Sequence, residues 1–165
     1  SDRIATYDPK FKCFPPLRAN SDVAAVIEGL ADGTLDSIAS NHTPQYAASK
    51  NVVFEHAMPG MIGLETALPL TLALVRKKKI TLSRMVELLS VAPANILSLR
   101  KDLPGLKVGA VADLVLFDPE KKYVYSESII KSAAKNTAFL DAKLQGCVDI
   151  CVVNGTVISR GLHKK

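Results

Sequence analysis

Near residue 104 the apolar pattern of the chain changes period, and no other feature constrains the fold as much. Upstream, apolar side chains recur at helical spacing: Val23, Val26, Ile27 and Leu30, then Leu64, Ala67, Leu68, Leu72 and Val75, then Leu82, Met85, Val86 and Leu89. Downstream they fall in short β-rich runs. Leu114, Val115, Leu116 and Phe117 close at Asp118-Pro119, and Val148 to Val153 reach Asn154-Gly155 before Thr156, Val157 and Ile158. Asn-Gly between two such runs predicts a hairpin, because both residues tolerate the positive φ of a type I′ turn. The expected division is an α/β segment over residues 1–103 and a β segment over 104–165.

Punctuation refines the first segment. Ser21 or Asp22 is placed to cap the first helix and Gly33 to stop it; Thr81 or Ser83 is placed to start the third, and Pro69 to kink the second. A buried strand is expected over Leu35–Ala39. Residues 40–60 form a polar connection containing Pro44, Pro59 and Gly60, longer than connections inside compact domains usually are, and such loops tend to be functional. Helix, strand, long loop, helix is the rhythm of a parallel α/β unit.

With 165 residues and 48% hydrophobic content the chain has enough apolar material for a packed core. No run approaches the roughly 20 apolar residues of a membrane helix, and the charged start SDRIATYDPKFK does not read as a signal peptide, so no membrane and a cytoplasmic setting are expected. The net charge of +5 is concentrated at Arg76-Lys77-Lys78-Lys79, where cations suit a helix C-terminus, and at Lys164-Lys165. No nucleic-acid recognition motif accompanies it, and no nucleic-acid partner is expected. Cys13, Cys147 and Cys151 lack CxxC spacing, which argues against a metal knuckle or disulfide framework. Cys147, Asp149 and Cys151 share strand parity and read as packing on one face.

Several short strings occur in a fixed order. Phe14-Pro15-Pro16-Leu17-Arg18 resembles the NPPLR string of bacterial dihydroorotases, and Asp32 to Gln45 resembles their DGTID-IATDHAPH segment. Phe54 to Pro69 is similar to the FE-A-PGI-GLETALP string, Pro93-Ala94-Asn95-Ile96-Leu97 follows, and Gly105 to Asp118 resembles the return of amidohydrolases into their small β domain. The resemblance implies the C-terminal part of a (β/α)8 TIM barrel followed by the C-terminal share of a small β-sandwich domain. A complete barrel needs about 250 residues, so these strands are expected to need a complement.

The resemblance also implies zinc chemistry: reversible closure of carbamoyl aspartate to dihydroorotate, in pyrimidine synthesis, by a metal-bound hydroxide with a carboxylate as proton shuttle. The HxH pair, carboxylated lysine and other metal histidines of such enzymes have no counterpart in this sequence, and no metal or other cofactor is expected in this chain. Three functional positions depart from the family pattern. The catalytic aspartate falls on Asn41, which has no carboxylate. A histidine that binds the substrate carboxylate falls on Gln45, and a substrate-binding asparagine on Phe14. The loop Ala57-Met58-Pro59-Gly60, whose backbone would face the pyrimidine ring at Ala57 and Gly60, is kept.

Other candidates have plain structural readings. His42 and His56 read as loop histidines making structural hydrogen bonds, and His163 as solvated. Glu65 reads as a first-turn glutamate favoured by the helix dipole, with loop anchoring as the alternative. Arg18 stands evenly between binding an anion and pairing with a nearby carboxylate.

Two functional expectations follow. In the first, the chain is a dihydroorotase-like pseudo-enzyme or structural module, inactive by itself, supporting an aspartate carbamoyltransferase. In the second, it belongs to an active zinc-dependent dihydroorotase whose metal site lies elsewhere. A hydantoinase fits less well, because PPLR followed by GLETALP is closer to dihydroorotase. The apolar faces around Val26, Ile27, Leu72 and Val75 are expected to be covered by the N-terminal portion of the barrel, another copy, or a separate subunit, making the isolated chain an oligomer.

Overall fold

A computed structural model describes residues 2–99 and 106–161. The expected boundary near residue 104, Gly105, and the terminal His163, Lys164 and Lys165 lie outside the described residues. Five α-helices and three strands carry the framework among those residues: α1 Asn20–Asp32, α2 Ala47–Lys50, α3 Leu64–Arg76, α4 Leu82–Val86, α5 Ala92–Ile96, β1 Leu114–Val124, β2 Lys143–Val153 and β3 Thr156–Arg160. The chain divides into two compact units, and each draws on residues from both sides of residue 104. One comprises Ser1–Gly29, Ala39–Ala67 and Val124–Lys143; the other comprises Leu30–Ile38, Leu68–Tyr123 and Leu144–Lys165.

In the second unit the helical periodicity becomes a core. Leu30, Leu72, Ile80, Met85 and Leu88 are buried together, with Leu68, Val75, Leu89 and Phe117 packed against them. Leu72 is thus buried within this chain, and Val75 is half-buried against the same cluster. Val26, by contrast, is 51% exposed. Helix α3 runs through Pro69, and α4 begins where Thr81 accepts the Arg84 amide at 3.1 Å. A π-helical stretch, Glu87–Val91, joins α4 to α5, so the third predicted helix is longer and less regular than its spacing suggests.

The strand expected over Leu35–Ala39 does not form. A strand exists by pairing, and this segment is held instead by single bonds: the Ile38 amide to the Leu88 carbonyl at 3.0 Å, and the Arg84 guanidinium to the carbonyls of Leu30 and Leu35, each at 2.9 Å. Helix α1 starts at Asn20, one residue before the expected cap, and the Asp22 carboxylate accepts the Ala19 amide at 3.2 Å.

The three strands form one sheet in the order β1-β2-β3. The Asn154-Gly155 hairpin is present, with φ of 48° and 75° at those residues and Val153 opposite Thr156. Strand β1 continues past Asp118-Pro119, where closure was expected. It lies at the edge of this sheet, where proline is tolerated best, and the Asp118 carboxylate takes the amides of Glu120 and Lys121 at 2.8 and 3.2 Å. Cys147 is buried and Cys151 half-buried, and neither forms a disulfide.

Candidate functional site

The first unit holds Phe14, Asn41, Gln45, Ala57 and Gly60, all on loops. Two of them meet directly, since the Asn41 side-chain amide donates to the main-chain carbonyl of Phe14. Asn41 has a positive φ of 43°, a conformation that asparagine tolerates better than most residues, and the Thr43 hydroxyl donates to its carbonyl at 3.0 Å. Phe14 is 73% exposed.

Gln45 faces the kept loop. Its side-chain amide donates to the Pro59 carbonyl at 3.0 Å. The loop's own N–H groups are all engaged within the chain: Ala57 with the carbonyls of Val53 and Phe54, Met58 with Ser49 at 3.0 Å, and Gly60 with Lys12 at 2.9 Å. Gly60 has a φ of +130°, and a Cβ placed there would come within 2.7 Å of the Thr43 methyl, so the sequence needs glycine for the two loops to close.

His42 takes the structural role. Its Nδ1 lies 3.1 Å from the Gly63 amide and 3.4 Å from that of Leu64, so it accepts at the start of α3. A parallel bridge pairs His42 with Met61 beside it. Arg18 resolves as a pairing, 3.2 Å from Asp22. Glu65 does what its helix position alone does not require: its carboxylate accepts the amides of Lys131 and Ser132 at 2.9–3.1 Å.

Sequence reasoning passed over two residues that organise this unit. Asn136 accepts the Gln45 amide at 3.0 Å and donates to the carbonyls of Thr43 and Gly60, each at 3.2 Å. Lys50 is 8% exposed and gives its ammonium to the carbonyls of Pro9 and Lys12 at 2.9 and 3.0 Å. Burial, with the charge of Lys12 adding, holds that ammonium below the ordinary lysine range, and burial pushes the Cys13 thiol up. A cavity of about 1100 Å³ opens in the same unit, with Lys50, Gln45, Asn136 and Phe139 on its wall. No spacing marked Asn136 or Lys50, because their partners are remote in sequence.

The Asn41 amide donates to Phe14 and the Nδ1 of His42 is turned to backbone amides, and among the described residues no three His, Cys, Asp or Glu side chains converge as a metal centre. No helix among those residues is long and apolar enough to cross a membrane.

Known proteins resemble this chain over nearly all of its length. It is 42% identical over 159 residues to a dihydroorotase of Geotalea daltonii and 44% identical over 161 residues to one of Syntrophotalea carbinolica, in each case covering 96% of this chain. The chain spans 37% of the length of these curated relatives. Among solved structures, an L-hydantoinase (dihydropyrimidinase) from Arthrobacter aurescens superimposes with a TM-score of 0.88 at 28% identity, over 96% of this chain and 36% of that one. A dihydropyrimidinase from Brevibacillus agri, at 24% identity over 94% of this chain and 35% of its own, shares the fold with a TM-score of 0.84. Residues 3–158 match the amidohydrolase family, and the chain belongs to that family as a dihydroorotase-like member.

Proposed function

We propose that this chain is a dihydroorotase-like module of pyrimidine biosynthesis in which the candidate site has been turned from chemistry to structure, so that it neither binds zinc nor turns over dihydroorotate by itself. The observation that carries this reading is the hydrogen bond from Asn41 to Phe14: the two positions where the family pattern has a proton shuttle and a substrate contact are tied to each other. An amide does not titrate near neutral pH and cannot serve as a general base. Gln45, the third departure, spends its side chain on Pro59.

In this reading the chain supplies the last strands and helices of a (β/α)8 barrel and part of a β-sandwich. The exposed Val23 and Val26 of α1 are then covered by the N-terminal portion of the barrel, by another copy, or by a separate subunit such as an aspartate carbamoyltransferase. A second reading, part of an active zinc-dependent dihydroorotase, is favoured by the 42–44% identity to dihydroorotases.

Metal analysis and an activity assay on the purified chain test the proposal. The expected result is no stoichiometric zinc and no hydrolysis of dihydroorotate above blank. One or two tightly held zinc ions per chain would overturn it.

A further inference from the structure

We infer that Asn136 is the positioning residue of the candidate site, fixing the loop of residues 41–45 against the loop of residues 57–62 from a segment remote in sequence from both. The inference rests on the proposed reading only for where the site lies, and not on whether that site is active.

The hydrogen-bond chemistry of one side chain carries it. A primary amide has one acceptor oxygen and two N–H donors. Here the oxygen takes the Gln45 amide, and the nitrogen gives to two different carbonyls, Thr43 on one loop and Gly60 on the other. Its orientation is settled by these partners, because a flipped amide would set an N–H against an N–H and an oxygen against two oxygens. The main-chain carbonyl of Asn136 adds a fourth bond, from the Ile62 amide at 2.9 Å. One residue thus reaches positions 43, 45, 60 and 62. Those positions carry or flank Asn41, Gln45 and the kept Pro59-Gly60 turn.

The platform beneath Asn136 is itself secured. Glu65 holds the amides of Lys131 and Ser132, and the Lys135 ammonium closes the turn by donating to the carbonyls of Ile130 and Ser132 at 2.7 and 2.9 Å. No other side chain repeats the pattern. Aspartate keeps the acceptor but loses both donors, serine has a single donor, and glutamine is one methylene too long for a half-buried position already in contact on both sides.

Backbone hydrogen exchange on the purified full chain, read by NMR for Asn136→Ala and Asn136→Asp, tests this. In Asn136→Ala the Gln45 amide should exchange at least about tenfold faster, and so should the Thr43 amide, which bonds Met61 across the two loops. In Asn136→Asp the Gln45 amide should stay slow while the Thr43 amide still accelerates, because only the donors are gone. Core amides such as Leu88 should keep their wild-type rates in both variants. Uniform acceleration across the chain, or wild-type exchange at both loop amides, would overturn the inference. If the alanine variant does not fold, the split between Gln45 and Thr43 in the aspartate variant decides. A finding of dihydroorotase turnover would refute the proposed inactivity and leave this exchange pattern unaffected.

Discussion

The side-chain amide of Asn41 donates to the main-chain carbonyl of Phe14, joining two loop positions 27 residues apart in sequence. Replacing Asn41 with the acid of the family pattern therefore removes a donor and sets a carboxylate against a carbonyl. Asn41→Asp should lower stability by about 1 kcal/mol, since the site is exposed and water compensates part of the loss. It should create no activity, because a proton shuttle works only beside a metal-bound hydroxide. Urea denaturation and a dihydroorotate assay on the single variant check both statements; turnover from Asn41→Asp would show that the metal site has been misplaced.

Arg84 makes the sharpest stability prediction. Its guanidinium bonds the carbonyls of Leu30 and Leu35 and pairs with Glu87 at 2.9 Å, with only 17% of the side chain exposed. A lysine keeps the charge but not the planar fork, and cannot meet three acceptors held in these directions. Arg84→Lys should cost about 1–3 kcal/mol, read as a lower denaturation midpoint with an unchanged slope. A loss below about 0.5 kcal/mol would mean that the 30–38 segment is held by packing alone.

Asp32 supplies a pH dependence. The Thr34 backbone and side chain bond its carboxylate and hold its pKa below the ordinary aspartate value of 3.8. A group with a depressed folded pKa contributes stability that is present above its unfolded value and is lost as pH falls through its folded value. Wild type should therefore exceed Asp32→Asn in stability above pH 3.8, with the gap closing as pH drops below it. Parallel stability curves for the two proteins through that range would contradict the assignment.

These relationships divide by how far they reach along the chain. The Asn154-Gly155 hairpin was legible because its cause is two adjacent residues with positive φ. The end of α1 before Gly33 and the start of α4 at Thr81 were legible for the same local reason. The buried strand at Leu35–Ala39 was misread on both counts: Leu35, Asp36, Ser37 and Ala39 are exposed with only Ile38 half-buried, and a strand also needs a neighbour to pair with. Pro119 was misread as a stop because nothing local distinguishes an edge strand from a central one.

The candidate site was legible as a set of positions and not as an arrangement. Asn41, Gln45 and Phe14 stood out because they depart from a pattern, but what their side chains bond to depends on contacts across 14 to 27 residues. Asn136 left no local signal at all, since its partner Thr43 is 93 residues away. Glu65 appeared as a helix-start residue, and its second task, holding Lys131 from 66 residues away, emerged only with the fold.

Whether Asn41, Gln45 and Phe14 have removed chemistry from this site is decided where the remainder of a catalytic centre is supplied. In a chimera, the matching 37% of a dihydroorotase relative is replaced by this chain and assayed for dihydroorotate hydrolysis with zinc present. The expected result is a folded chimera with no turnover above blank, and turnover only when Asn41→Asp, Gln45→His and Phe14→Asn are introduced together. Turnover by the chimera with Asn41, Gln45 and Phe14 unchanged would contradict it.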